Sequence, residues 1–145
     1  MTMESKARSR EQVARLADRD RFARAMGVRF VDGGSGYAKV AMTVREQHLN
    51  FNGTCHGGAI FALADAAFGL ASNSHGTIAA GIDAHITYQA AATVGDELAA
   101  VAVEVSRSRK LAVYRIDVTR ADGAMISSFT GTVYVTARHH DPAPG

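Results

Sequence analysis

The stretch from Leu49 to Gly76, LNFNGTCHGGAIFALADAAFGLASNSHG, constrains the fold more than any other part of the chain. After the Gly57-Gly58 pair come Ile60, Phe61, Leu63, Phe68 and Leu70, with Ala at 59, 62, 64, 66, 67 and 71. A helix over residues 58–71 is therefore apolar on almost every side, and such a helix belongs inside a fold. Asn73 and Gly76 are residue types suited to ending it. One ionisable residue, Asp65, sits in its middle. A carboxylate in apolar surroundings costs free energy unless something compensates it, so Asp65 is where chemistry is expected.

The flanking chain changes period on either side of this helix. From Glu11 to Met26, Val13, Leu16, Ala17, Phe22 and Met26 recur at three- and four-residue steps, predicting a surface helix or two short ones broken near Asp18 to Asp20. Gly27 caps its end. Residues 1–10 ahead of it read as a mobile polar arm or as an extension of that helix. From Val28 the period is two, predicting a hairpin around Asp32-Gly33-Gly34-Ser35-Gly36, and a loop from Arg45 to Cys55 leads into the apolar helix. Beyond Gly76 lie alternating runs at 82–88, 98–105 and 112–118, then Asp122-Gly123 and a last strand over about 124–136. Residues 138–145, with both prolines, read as a disordered tail.

Short turns make the sheet mainly antiparallel, and the class is α+β. One sheet face covers a helix on one side only. A helix apolar all round therefore needs a curved sheet or a second subunit, and an obligate homodimer is expected. At 145 residues the chain is expected to form one domain, over 11–137, without disulfides or structural metal.

Composition excludes other classes. No apolar run approaches the ~18 residues of a membrane span. The first residues, MTMESKARSR, lack the apolar segment of a secretory signal. A single cysteine, Cys55, excludes an intramolecular disulfide and fits a reducing compartment, so a cytoplasmic location is expected. A net charge of +2, from 16 basic and 14 acidic residues, does not argue for nucleic acid.

The central stretch closely resembles the hotdog-fold acyl-coenzyme A thioesterases of the PaaI, or phenylacetic acid degradation, group. The resemblance rests on Asn50, Gly53, the triplet His56-Gly57-Gly58, and Leu63-Ala64-Asp65 followed by Phe68, Asn73 and Gly76, and extends more loosely from Phe22 to Tyr134. It implies a curved antiparallel sheet wrapped around a long central helix, dimers that pair into tetramers, and active sites at the dimer interface. It also implies an acyl- or aryl-acetyl-coenzyme A substrate, hydrolysed without metal or cofactor because coenzyme A thiolate already leaves well.

The residue types fit that chemistry. A glycine opening a helix offers an unsatisfied N–H at the positive helix end, suited to a thioester carbonyl becoming an oxyanion, and Gly57 has no Cβ to obstruct it. Asp65 lies eight residues on, about 12 Å along the axis at the α-helical rise, too far to serve a carbonyl held at the start of its own helix. Gly57 of one protomer is therefore expected to work with Asp65 of its neighbour. Asp65 would deprotonate water or attack the carbonyl itself to form an anhydride, with burial raising its pKa. By its family position Asn50 orients the water or the Asp65 carboxylate, and His56 fixes the Gly57 loop. Gly58, Phe61, Phe68 and Tyr88 are candidate substrate contacts, although core packing accounts equally well for the aromatic rings. The basic cluster Arg107, Arg109 and Lys110 is a candidate for the coenzyme A phosphates, with Arg138 weaker.

Blander readings compete at each position. A buried Asp can be structural, a basic run is often a solvated turn, and Cys55 beside His56 suits packing better than nucleophilic attack. Asp83 and His85 read as a structural strand pair with no third metal ligand. At the level of function the rivals are a hotdog dehydratase or hydratase, and a non-catalytic module that binds acyl thioesters.

Overall fold

The apolar stretch does form a helix, and a single sheet curls around it. The structure, a computed structural model, describes residues 2–141. Two helices come first, α1 (Met3–Arg19) and α2 (Arg21–Ala25), followed by the hairpin strands β1 (Arg29–Gly34) and β2 (Tyr37–Thr43). A 3-10 turn at Glu46–His48 precedes the central α3 (Gly57–Ser72). Four strands complete the chain: β3 (Thr77–Tyr88), β4 (Glu97–Arg107), β5 (Leu111–Arg120) and β6 (Met125–His139). The six strands form one sheet in the order β1-β2-β4-β5-β6-β3, and every neighbouring pair is antiparallel.

Alternation decides which sheet face meets the helix. On β5, Ala112, Tyr114, Ile116 and Val118 are buried while Leu111 and Arg115 are exposed. Ile116 pairs with Ala102 on one side and Phe129 on the other, so the inward rows of three strands align into one apolar surface. Leu63, Ala64, Ala67 and Ala71 of α3 are buried against it. Fully burying one such leucine contributes about 1.5–3 kcal/mol. Small residues let the helix seat closely, and bulges in β1, β3, β4 and β6 bend the sheet around it. Phe68 is buried in this core, its ring 5.6 Å from Phe129 and 6.0 Å from Tyr114.

Both ends of the chain are more ordered than the sequence pattern implies. Residues 3–10 extend the first helix: they form the first turns of α1, capped by Thr2, whose hydroxyl accepts from the Ser5 N–H. Arg10 anchors this end, donating to Asp32 at 3.1 Å with its guanidinium 5.3 Å from the Phe30 ring centre, and the buried Val13 packs against Gly33. The break between α1 and α2 falls at Asp20, within the expected Asp18 to Asp20 window, and Asp20 caps α2 by accepting from Ala23 N–H. Gly27, with φ of +82°, ends that segment. At the other end, residues 138 and 139 belong to β6 rather than to a disordered tail, and His140 donates from its backbone to Gly76 and bonds through its ring to Asn73. The rest of the expected tail, 142–145, lies outside the described residues.

Two surfaces remain uncovered in the single chain. Gly58, Asp65 and Gly69 form an exposed stripe on α3, with Phe61 and Ala62 half-buried beside it. Strand β3 is a sheet edge, and residues 80–85 are exposed along it, Ile82 by 59%. A long exposed edge strand with an apolar residue is a template for pairing with another strand. No helix among the described residues is long and apolar enough to cross a membrane.

Candidate active site

The start of α3 is arranged so that one backbone donor is left over. His56 is the N-cap residue, with extended backbone at φ −60° and ψ 136°, and its Nδ1 accepts from the Gly58 N–H at 2.7 Å. Its carbonyl accepts from the Ala59 and Ile60 N–H groups at 2.9 and 3.2 Å. Of the first-turn donors that every helix leaves unsatisfied, Gly57 N–H alone has no partner among the described residues. The helix dipole adds positive character at that end. Gly57 opens onto a groove of about 350 Å³ lined by Cys55, Ile60, Tyr88, Gln89 and Ala90. The Tyr88 hydroxyl donates to the Gly57 carbonyl at 3.1 Å.

The loop ahead of the helix is held by its own polar groups. His48 is almost fully buried, its Nδ1 accepting from Arg45 N–H at 2.9 Å and its Nε2 lying 2.8 Å from the Met26 carbonyl. An amide can only donate and a carbonyl only accept, so the Nε2–H tautomer satisfies both. The His48 carbonyl in turn accepts from His56 N–H at 2.7 Å, linking this buried ring to the start of α3. Asn50 is directed inward on its loop: its Oδ1 accepts from Asn52 and Thr54 N–H and its Nδ2 donates to the Thr54 hydroxyl. Within one chain Asn50 closes its own loop and does not touch Asp65. Cys55 is buried, and burial pushes its thiol up to about 11, which keeps it protonated and agrees with packing.

Asp65 sits on the uncovered face of α3, one turn beyond Phe61. The residue is open to solvent along one side, yet the protein around the rest of its carboxyl displaces water. This burial raises its pKa above the ordinary aspartate value, and the nearby Asp20 carboxylate adds to the effect, with no hydrogen bond among the causes. A second groove of about 220 Å³, lined by Asp20, Ala23, Val28, Phe30, Ala66 and Leu70, runs between α2 and α3 on the same flank.

Other expected substrate contacts are distributed differently. Phe61 is half-buried beside Asp65, with its ring 5.3 Å from Phe129. Phe68 is a core ring, packed onto Gly81 and Gly131, and borders neither groove. Gly58 has its N–H held by His56, and a Cβ there would lie 2.9 Å from the His56 Nδ1, so glycine is what permits that cap. Arg107, Arg109 and Lys110 lie at the β4–β5 turn, beside the start of β3, where Arg107 bonds to Thr77. Gly57 meets the other end of β3 through Tyr88, about 35 Å away at the rise of a strand. Within one chain the basic cluster and Gly57 do not meet.

Arg107 is also engaged locally. Glu104 Oε1 accepts from Tyr114 OH at 2.6 Å, lies 2.8 Å from His75 Nε2 and 3.9 Å from Arg107 Nη1. Burial alone would raise the Glu104 pKa, but the bonds from Tyr114 and His75 and the Arg107 charge outweigh it and lower the value. Arg109 and Lys110 remain exposed at the turn.

Comparison with known proteins identifies the family. A family model described as the thioesterase superfamily matches residues 52–127, which include Gly57, Asp65 and Tyr88. A putative esterase from Archaeoglobus fulgidus is 42% identical over 134 residues, covering 90% of this chain and 87% of the relative. The acyl-coenzyme A thioesterase PaaI of Escherichia coli is 34% identical over 116 residues, covering 80% of this chain and 83% of the relative. The solved structure of the E. coli PaaI protein, from the phenylacetic acid degradation operon, matches with a TM-score of 0.89 at 31% identity, over 93% of this chain and 99% of that one. A Streptococcus mutans protein solved with bound acetyl CoA matches with a TM-score of 0.75 at 30% identity, over 78% of this chain and 91% of that one. With one curved antiparallel sheet around a central helix and these relatives, the chain belongs to the thioesterase superfamily as a hotdog-fold member.

Proposed function

We propose that this protein hydrolyses acyl-coenzyme A thioesters, aryl-acetyl or other acyl esters, to the free acid and coenzyme A. The observation that carries the reading is the single unpartnered donor at the start of α3, Gly57 N–H, presented to an open groove. In the reaction the thioester carbonyl oxygen accepts from that N–H as it becomes an oxyanion. Asp65 takes a proton from water, the hydroxide adds to the carbonyl carbon, and the C–S bond breaks to release coenzyme A thiolate, which recovers the proton. Attack by the Asp65 carboxylate, giving an anhydride that water then opens, is the second route open to the same residue. A carboxylate with a raised pKa is the better base, and burial supports that role. The scheme uses no metal or cofactor, since coenzyme A is part of the substrate. Phe61, one turn before Asp65 on the same helix face, suits the acyl group.

The working unit in this reading is a homodimer, paired further into a dimer of dimers. The exposed edge strand β3 and the uncovered α3 stripe support it. Two-fold pairing along β3 sets the start of the strand in one protomer beside its end in the other. The Gly57 end of one protomer then meets the helix face bearing Asp65 and the basic turn of its partner, where Arg109 and Lys110 suit the coenzyme A phosphates. The lone Cys55 fits a reducing, cytoplasmic setting. His56 acts in this scheme as a cap for Gly58, not as the acid or base that a hydratase requires.

Release of free thiol from a panel of aryl and aliphatic coenzyme A esters, by wild type and Asp65→Asn side by side, tests the reading. Loss of the base should lower kcat by about 10² to 10⁴. Tight binding of the esters with no thiol release by wild type would replace the enzyme with a binding module.

A further inference from the structure

We infer that Tyr88 is a positioning residue for the oxyanion donor, acting through the peptide that joins Gly57 to Gly58. A diglycine at a helix start is a loose place to mount a donor, because neither residue has a Cβ to restrict φ and ψ. Here the Gly57–Gly58 peptide is gripped at both ends. Its carbonyl accepts from the Tyr88 hydroxyl at 3.1 Å, and its N–H donates to His56 Nδ1 at 2.7 Å. The preceding peptide is fixed through the His56 carbonyl, which accepts from Ala59 and Ile60. With both flanking groups tied, rotation about the Gly57 backbone bonds is confined, and the direction of its N–H with it.

The two grips come from different parts of the chain. His56 belongs to the entry loop, whereas Tyr88 is the last residue of β3, 31 positions beyond Gly57, and lines the same groove as Gly57. Its ring lies against Gly57, where an added Cβ would be 3.3 Å from the Tyr88 Cζ. The residue is 50% exposed in the single chain, so the hydroxyl contributes little to holding the sheet together. Its contribution is to the aim of one donor, and that matters only when charge develops on the carbonyl oxygen.

This inference rests on the thioesterase reading, and Tyr88→Phe separates the two. The variant keeps the ring and removes only the hydroxyl. Loss of one neutral hydrogen bond should lower kcat by about three- to tenfold, with KM and thermal midpoint unchanged. Hydrogen exchange at the Gly58 amide, followed by NMR on the full-length protein, should accelerate, because the peptide is released at its carbonyl. A rise in KM at constant kcat would make Tyr88 a substrate contact and overturn the inference. Unchanged kcat, or unchanged Gly58 exchange, would overturn it too. Wild-type protein that releases no thiol from any ester removes the thioesterase reading instead, and leaves the exchange experiment to decide whether the clamp exists.

Discussion

In the proposed reaction Gly57 and Asp65 carry the chemistry at the level of single residues, and each allows a substitution that removes one property. Gly57 is the first helical residue of α3, and His56 before it is extended, so a proline fits the backbone at position 57. Gly57→Pro deletes the proposed donor without disturbing the helix start, beyond a few tenths of an ångström of adjustment at Tyr88. We expect kcat to fall about 10²- to 10³-fold, in thiol-release kinetics, with the thermal midpoint nearly unchanged. Asp65 predicts a pH dependence of defined sign. The folded chain holds that proton more tightly than the unfolded one, so ionised Asp65 costs stability. The cost is absent below the ordinary value of 3.8, grows as pH rises toward the raised folded pKa, and is constant above it. Asp65→Asn should therefore melt above wild type at neutral pH and lose that advantage as the pH falls toward 3.8, in parallel thermal scans. The acid limb of wild-type kcat/KM should also lie above 3.8. The candidate residues Asp65, Gly57 and His56 were legible in the sequence because a lone acid in an apolar helix and a His-Gly-Gly run at its start are local patterns. The loop-closing role of Asn50, the His75–Glu104–Tyr114 bonds around Arg107, and the buried His48 were not, because each depends on partners far away in the chain.

The elements follow from period and punctuation, with their limits set by tertiary contacts. The helix read as 58–71 spans 57–72, and the strands read from alternation appear in β3 to β6. The first turns of α1 carry no apolar period. They are fixed instead by the Thr2 cap and by Arg10 reaching Asp32, a contact between two elements. The hairpin turn is shorter than the glycine run suggests: Asp32 to Gly34 join β1, and the Gly36 turn, at φ +70°, does the reversing. Strand β6 continues to His139 because β3 lies beside it, with Thr77 opposite His139. Packing of α3 on β6 gives a direct test of the core. A Cβ on Gly131 would lie 2.6 Å from the Phe68 Cζ, with two further ring atoms at 2.8 Å, so the ring or the strand must move. Gly131→Ala should destabilise the protein by about 1–3 kcal/mol, read from urea or thermal unfolding. An unaltered midpoint would mean that Phe68 is not wedged against β6.

At the scale of the whole molecule, one chain holds the parts of the proposed thioesterase site without bringing them together. Gly57 stands at one end of β3 and the basic turn at the other, and Asp65 faces outward on a helix whose remaining faces are buried. The sequence already implied this split, since eight helical residues separate Gly57 from Asp65 by about 12 Å. What it could not give was the surface on which the proposed pairing rests, the exposed edge of β3 beside the uncovered stripe of α3. A site shared between protomers makes a prediction that no single-chain site makes. Gly57→Pro and Asp65→Asn proteins, each inactive alone, should regain activity when unfolded, mixed and refolded together, because a mixed dimer contains one site with both native residues. With random pairing of equal amounts the recovered rate should be about a quarter of wild type, since half the dimers are mixed and each has one of two sites intact. Recovery near that level establishes the shared site; no recovery, from a mixture shown to contain mixed dimers, contradicts it.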